Sequence, residues 1–209
     1  MVSVDVSLLS FIFANISRGT IFFAEDLEDS GFSPDEIRWS LTRLVANREG
    51  IVRLARGMFF LPEADETAER FTEPPTDVIA GALARRWKVR IAPSGAYAAY
   101  LSGLTGVPAS ADTWVSDGSD QVCRLSNGRE VRFVRRLSLK VFQFRSDRMR
   151  NLVEGMRFLG RDMMEGECVG ALEGNLMCVE EEDFVHDIML APSWIRQIMK
   201  ESWNSLKSI

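Results

Sequence analysis

Apolar residues crowd positions 4–17 (VDVSLLSFIFANIS) and spread widely around a helical circumference, which predicts a first, mostly buried helix. Arg18-Gly19-Thr20 then turns the chain into a short apolar run, Ile21-Phe22-Phe23. A short helix is expected from about Ala24 to Asp29, broken by Ser30-Gly31-Phe32. The strongest local signal follows. Ser33 is a good N-cap, Pro34 suits the first helical position, and Glu36 stands three residues after the cap to complete a capping box. This helix should run to about Arg48 and end at Gly50. Drawn at 100° per residue, it gathers Ile37, Ser40, Leu41, Leu44 and Val45 on one side. Asp35, Trp39, Thr42, Arg43 and Ala46 fall on the other, with Arg38 on the flank. Ile51-Val52-Arg53-Leu54 and Met58-Phe59-Phe60-Leu61 read as two strands joined around Arg56-Gly57.

Residues 62–75 (PEADETAERFTEPP) are acidic and bounded by prolines, the character of a linker. They divide the chain into 1–70 and 71–209. The second part opens on a helix from about Thr76 to Trp87 and a short strand, Lys88-Val89-Arg90-Ile91. Ser94 is placed to cap a helix reaching about Leu101, and Thr113-Trp114-Val115 reads as a strand. Val122 to Leu125 and Glu130 to Val134 alternate about Ser126-Asn127-Gly128, and Asn-Gly is the strongest short hairpin signal. A strand is expected over Leu137 to Phe144. From Asp147 onward the chain reads as helical, with helices over Asp147 to Leu159, Glu180 to Met189 and Ser193 to Leu206. The fold class is therefore α+β: an N-terminal winged helix-turn-helix, from the order helix, helix, turn, helix, hairpin, followed by a mixed α+β domain ending in helices.

Charge sharpens this picture. The net charge is −5 over 209 residues. Residues 71–150 alone carry 13 basic and 7 acidic side chains, while both flanking stretches are acidic. Within the first part, residues 38–56 hold five arginines and one acid, Glu49. An exposed Trp39 beside arginines is unusual on a face without a partner. Winged helices bind DNA or mediate protein contacts, and this one reads as a DNA binder. Arg38, Trp39, Thr42 and Arg43 would face the major groove, with Arg53 and Arg56 on the wing beside the backbone. The plainer alternative pairs Arg48 and Arg53 with Glu49 or Asp35 on a solvated surface. The run Arg85-Arg86-Trp87-Lys88-Val89-Arg90 extends a nucleic-acid footprint or forms the cation-rich last turn of a helix.

Composition excludes several classes. No apolar run reaches the ~18 residues of a membrane helix. The apolar N-terminus carries Asp5 and has no basic lead, so it does not read as a signal peptide. Three cysteines without a CxxC pair suit reduced thiols in the cytoplasm. His186, the one histidine, excludes a multi-histidine zinc site. Ser94-Gly95 invites comparison with the phosphate turn of nucleotidyltransferases. The D-x-D carboxylate pair that should follow is missing; Asp112 and Asp117 stand apart. No catalytic residue, metal or cofactor is assigned.

Two blocks of sequence carry a family resemblance. One runs Leu41-Thr-Arg-Leu-Val45 and Gly50-Ile-Val-Arg-Leu-Ala-Arg-Gly57-Met-Phe-Phe-Leu-Pro62. The other runs Ile79-Ala-Gly-Ala-Leu-Ala-Arg-Arg-Trp87, Arg90-Ile-Ala-Pro-Ser-Gly-Ala-Tyr97 and Leu101-Ser-Gly-Leu-Thr105 to Pro108. Over about residues 30–145 the chain resembles AbiEi-like antitoxins and transcriptional regulators of type IV toxin–antitoxin systems. The loop Leu104-Thr-Gly-Val-Pro108 is a residue or two shorter than the family pattern. The resemblance implies a repressor of its own promoter that also neutralises a nucleotidyltransferase-like toxin. It gives Arg85, Arg86, Trp87, Pro93, Ser94, Gly95 and Tyr97 as motif positions without an assigned role. Two other readings stay open: a regulator without a toxin, whose C-terminal domain forms a homo-oligomer on DNA, and a degenerate nucleotide-transfer enzyme.

Overall fold

The structure, a computed structural model, describes residues 4–63, 67, 70–109, 112–136 and 138–208. It is a mixed α+β protein with helices at its C-terminal end. The chain divides into two compact units, 1–83 with 123–130, and 84–122 with 131–209. The sequence had suggested a joint at 62–75; residues 64–66 and 68–69 of that stretch lie outside the described residues.

The first unit starts with helix α1 (Val4–Asn15) and strand β1 (Thr20–Phe23). The segment expected as a short helix, Ala24–Ser30, is wound as a 3-10 helix. Asp26 accepts from the Phe23 N–H at 2.8 Å, and Gly31 stops the turn at φ 80°. The tighter winding is common in connectors, although seven residues is long for it. Helix α2 (Pro34–Ala46) then begins on the expected cap. The Ser33 N–H donates to Glu36 Oε2 at 2.8 Å, and Ser33 Oγ accepts from the Glu36 N–H at 3.4 Å. The helix ends sooner than the expected Arg48. Asn47 is the C-cap, and Arg48 itself takes a left-handed φ of 57°. Strands β2 (Val52–Ala55) and β3 (Met58–Leu61) follow. They form with β1 an antiparallel sheet in the order β1-β3-β2.

The core of this unit joins Leu8 and Ile12 of α1, Leu27 of the 3-10 helix, Ile37, Leu41 and Leu44 of α2's inner face, and Phe22 and Phe59 from the sheet. The two phenylalanine rings stack at 5.7 Å. Ile37, Ser40, Leu41 and Leu44 are buried and Val45 is half-buried, so α2 presents the wheel's apolar side to the core. Ser33→Ala will lower the stability of this unit by about 1 kcal/mol, the usual worth of an N-cap. The Glu36 carboxyl is held below its ordinary value, first by the Ser33 hydroxyl and then by the Ser33 backbone N–H. Its contribution is therefore present at neutral pH and is lost as pH falls through that lowered value. Thermal melts should show the Ser33→Ala deficit shrinking in acid. A deficit that stays constant down to about pH 2 would contradict the capping box.

Helix α3 (Thr76–Trp87) lies where the sequence placed it, and the division between units falls within it. The next strand does not begin at Lys88. Lys88 takes φ 55°, which closes the helix and delays strand β4 to Ile91–Pro93. Strands β5 (Thr113–Ser116), β6 (Gln121–Arg124) and β7 (Glu130–Arg135) complete a sheet in the order β4-β5-β7-β6. β5 runs antiparallel to β4 and parallel to β7. The strand expected over 137–144 is instead a 3-10 turn, Leu139–Phe142; Leu137 lies outside the described residues. Val141 drops from this turn onto Ala92 and Val115.

Helix α4 (Gly95–Leu101) packs against α5 (Asp147–Leu159). Their approach needs Gly155, because a Cβ there would lie 2.8 Å from the Ala99 Cα. Helices α6 (Glu167–Leu176), α7 (Glu181–Asp187) and α8 (Ser193–Lys207) finish the chain, α6 between two helices that the sequence had separated. Leu152, Met156, Leu172, Leu176, Ile195 and Met199 are among the buried residues that join these helices in one core. Asp187, fully buried, accepts from the N–H groups of Arg145 and Ser146, both at 2.9 Å, and so anchors the entry to α5.

Candidate nucleic-acid interface

The outer side of α2 carries Asp35, Arg38, Trp39, Thr42, Arg43 and Ala46, all exposed. Trp39 is 71% exposed. The arginines are held in place by local partners. Arg38 lies 3.5 Å from Asp35, one turn earlier. Arg43 donates to Asp5 of α1 at 2.8 Å. Thr42 Oγ donates to the Arg38 carbonyl at 2.9 Å and accepts from Arg53 at 3.3 Å. Arg53 therefore reaches from β2 to the outer side of α2, with its guanidinium 5.5 Å from the centre of the Phe59 ring. Arg56 stands exposed in the β2–β3 turn. Glu49 is engaged by the Asn47 amide at 3.1 Å. The structure thus joins Thr42 and Arg53 directly, and sets Arg38, Trp39 and Arg43 on the same helix side.

The Arg38–Asp35 pair is exposed on both sides, and such pairs contribute about 0–1 kcal/mol. A phosphate can displace Asp35 at little cost, and Arg43 keeps donors beyond those that Asp5 uses. Two partners of this surface were not singled out from sequence. Asp5 lies 38 positions before Arg43, and no local pattern links them. The turn Ser126-Asn127-Gly128 was legible as a turn, but its bonds to residues 53, 54 and 73 were not.

The second basic run packs only in part: Lys88 and Arg90 stay exposed. Arg85 lies exposed in the last turn of α3, where cations suit the helix dipole. Arg86 and Trp87 are half-buried, and the Trp87 ring meets Phe133 edge-on at 4.9 Å. Pro93 is buried in β4 opposite Trp114. Ser94 occupies the N-cap position of α4, yet its side chain makes no capping bond. This corrects the expectation that it caps the helix: Gly95, at φ 55°, sets the entry into α4 instead. Tyr97 meets Trp114 edge-on at 5.6 Å. Trp87, Pro93 and Tyr97 thereby pack along one sheet. Ser94, Gly95 and Tyr97 also line a cleft of about 710 Å³ with Val107, Pro108 and Phe158.

Asp117, half of the absent carboxylate pair, is occupied by Arg90. The Arg90 side chain and backbone N–H both reach it at 2.8 Å and hold its carboxyl below the ordinary range, the side chain most strongly. His186 Nδ1 lies 2.8 Å from Asp187, whose carboxylate already serves the start of α5. Among the described residues, no three His, Cys, Asp or Glu side chains are grouped to hold a metal ion, and no helix is long and apolar enough to cross a membrane.

Sheet, helices and outer α2 surface together define a two-unit α+β protein with a basic, tryptophan-bearing helix side in its first unit. The model of the family of unknown function DUF6088 matches residues 11–176, and the chain belongs to that family. Its fold is similar to the crystal structure of the RV2827C protein from Mycobacterium tuberculosis, at a TM-score of 0.50 and 16% sequence identity, covering 98% of this chain and 78% of that one. No curated protein matches the sequence.

Proposed function

We propose that the first unit is a winged helix-turn-helix that binds double-stranded DNA. In this reading α2 is the recognition helix and the β2–β3 hairpin is the wing. The observation that carries it is the outer side of α2. A 71% exposed tryptophan stands there between Arg38 and Arg43, and Arg53 of the neighbouring strand is bonded to the same side. A helix inserted in the major groove needs this equipment: fork-shaped donors for guanine edges or phosphates, and an apolar surface for thymine methyls. The 3-10 segment Ala24–Ser30 would then cross the backbone ahead of α2.

The resemblance over about residues 30–145 extends this proposal. The chain would repress its own promoter and neutralise a nucleotidyltransferase-like toxin encoded beside it. Co-expression with that neighbour, scored for rescued growth, tests the second half separately. The first half predicts selectivity. A duplex from the region upstream of its own reading frame should be preferred over a scrambled duplex of equal composition by roughly a thousandfold or more. Equal affinity for both duplexes would contradict the assignment.

A further inference from the structure

β2 is an outer strand of the first sheet, so its free edge offers unpaired backbone groups. Within the first unit that edge is occupied by the turn of residues 123–130. The Ser126 N–H donates to the Leu54 carbonyl at 2.7 Å, and Ser126 Oγ donates to the Arg53 carbonyl at 2.9 Å. The contact falls where β2 departs from regular pairing with β3, between Arg53 and Ala55. The turn is itself tied down. Asn127 Nδ2 lies 2.7 and 2.9 Å from the two carboxylate oxygens of Glu73, and Arg129 forms an ion pair with the same carboxylate at 3.6 Å.

Arg53 is thus gripped at both ends. Its carbonyl is held by Ser126, and its guanidinium is held by Thr42 on α2 and lies over the Phe59 ring. We propose that Ser126 is a positioning residue for Arg53: the 123–130 turn fixes the irregular stretch of β2 so that Arg53 is aimed along the outer side of α2 at a DNA phosphate. The inference rests on the DNA-binding reading above and adds a distant segment to it. A long cation held in its binding orientation loses less freedom when it meets its anion, which is why the grip raises affinity without a new contact. Arg56, one residue past the strand, has no such hold on its carbonyl from the turn and serves as the control.

The test is a double-mutant cycle on the full chain, read as equilibrium binding to a fluorescent duplex of its own upstream region at low salt. Arg53→Ala should weaken binding about tenfold, as expected of a lost charged contact. Ser126→Ala should weaken it about threefold, at the lower end of coupling between residues in contact. The double variant should be no weaker than Arg53→Ala alone, and Ser126→Thr, which keeps the hydroxyl, should bind as the wild type does. Combined with Arg56→Ala, the Ser126→Ala loss should persist in full. If Ser126→Ala fails to fold, Asn127→Ala loosens the same turn from Glu73 and should show the same dependence on Arg53. Losses that multiply in the Ser126→Ala/Arg53→Ala variant, or a Ser126→Ala protein that binds as tightly as the wild type, overturn the proposal while leaving DNA binding intact. A wild-type chain that binds no duplex overturns both.

Discussion

Arg136→Ala will lower the stability of the second unit by about 3 kcal/mol, the lower part of the range for stripping a buried charge of its partner. Glu154 sits on α5 with 3% of its side chain exposed, and its carboxylate is bonded to Arg136. Arg157, one turn along the helix, reaches the other oxygen only at 3.8 Å. Removing Arg136 leaves a carboxylate out of water with one distant cation. The loss exceeds the worth of the pair itself, because most of it is the desolvation of the abandoned charge. Replacing both residues by apolar ones, Arg136→Met with Glu154→Leu, should therefore recover much of the stability that Arg136→Ala loses. Urea unfolding of the three variants checks this. A loss under about 1 kcal/mol for Arg136→Ala, the value for exposed pairs, would show that Glu154 is hydrated in solution.

What could be read from the sequence follows the range of the interaction responsible. The Ser33–Glu36 box was legible because all of its bonds close within three residues. The bounds of α3 and α5 were legible from the apolar spacing along each segment. The 3-10 turn over Leu139–Phe142 read as a strand because apolar residues at alternate positions suit either form over so few residues. What decides between them is Val141 meeting Ala92 and Val115, about 50 and 26 positions away in the chain. α6 was missed because Gly170 and Gly174 dilute its helical signal, and tertiary packing of Leu172 and Leu176 overrides that weakness. The delayed start of β4 depends on one residue, Lys88, adopting a left-handed conformation that nothing about lysine announces.

The candidate site divides in the same way. Trp39 and the arginines of α2 were legible from the wheel, since helical geometry alone sorts them to one side. Their partners were not. The bonds Arg43–Asp5, Arg53–Thr42 and Ser126–Arg53 span 38, 11 and 73 positions. These contacts change the chemical meaning of the cluster. Five arginines with one acid look like open positive charge in the sequence, whereas in the folded chain several are already oriented by carboxylates, a hydroxyl and a ring. On the DNA-binding reading proposed above, such a surface is oriented for anions and not merely attractive to them.

That distinction is measurable in the salt dependence of binding, the second large effect expected. With Arg38, Arg43, Arg53 and Arg56 each neutralising one phosphate, the logarithm of affinity should fall with the logarithm of salt at a slope of about −3.6. Between 50 and 200 mM salt this amounts to a loss of roughly 150-fold. Arg56 stands exposed in the β2–β3 turn, so its removal should act through charge alone. Arg56→Ala should reduce the slope by about 0.9 and weaken binding to every duplex alike. The decisive measurement is this salt titration, made by fluorescence anisotropy on the full chain with a duplex from its own upstream region, for the wild type and Arg56→Ala. DNA binding by the α2 and β2–β3 surface predicts the steep slope and its reduction in the variant. A slope near zero, or a steep one that Arg56→Ala leaves unchanged, would contradict it.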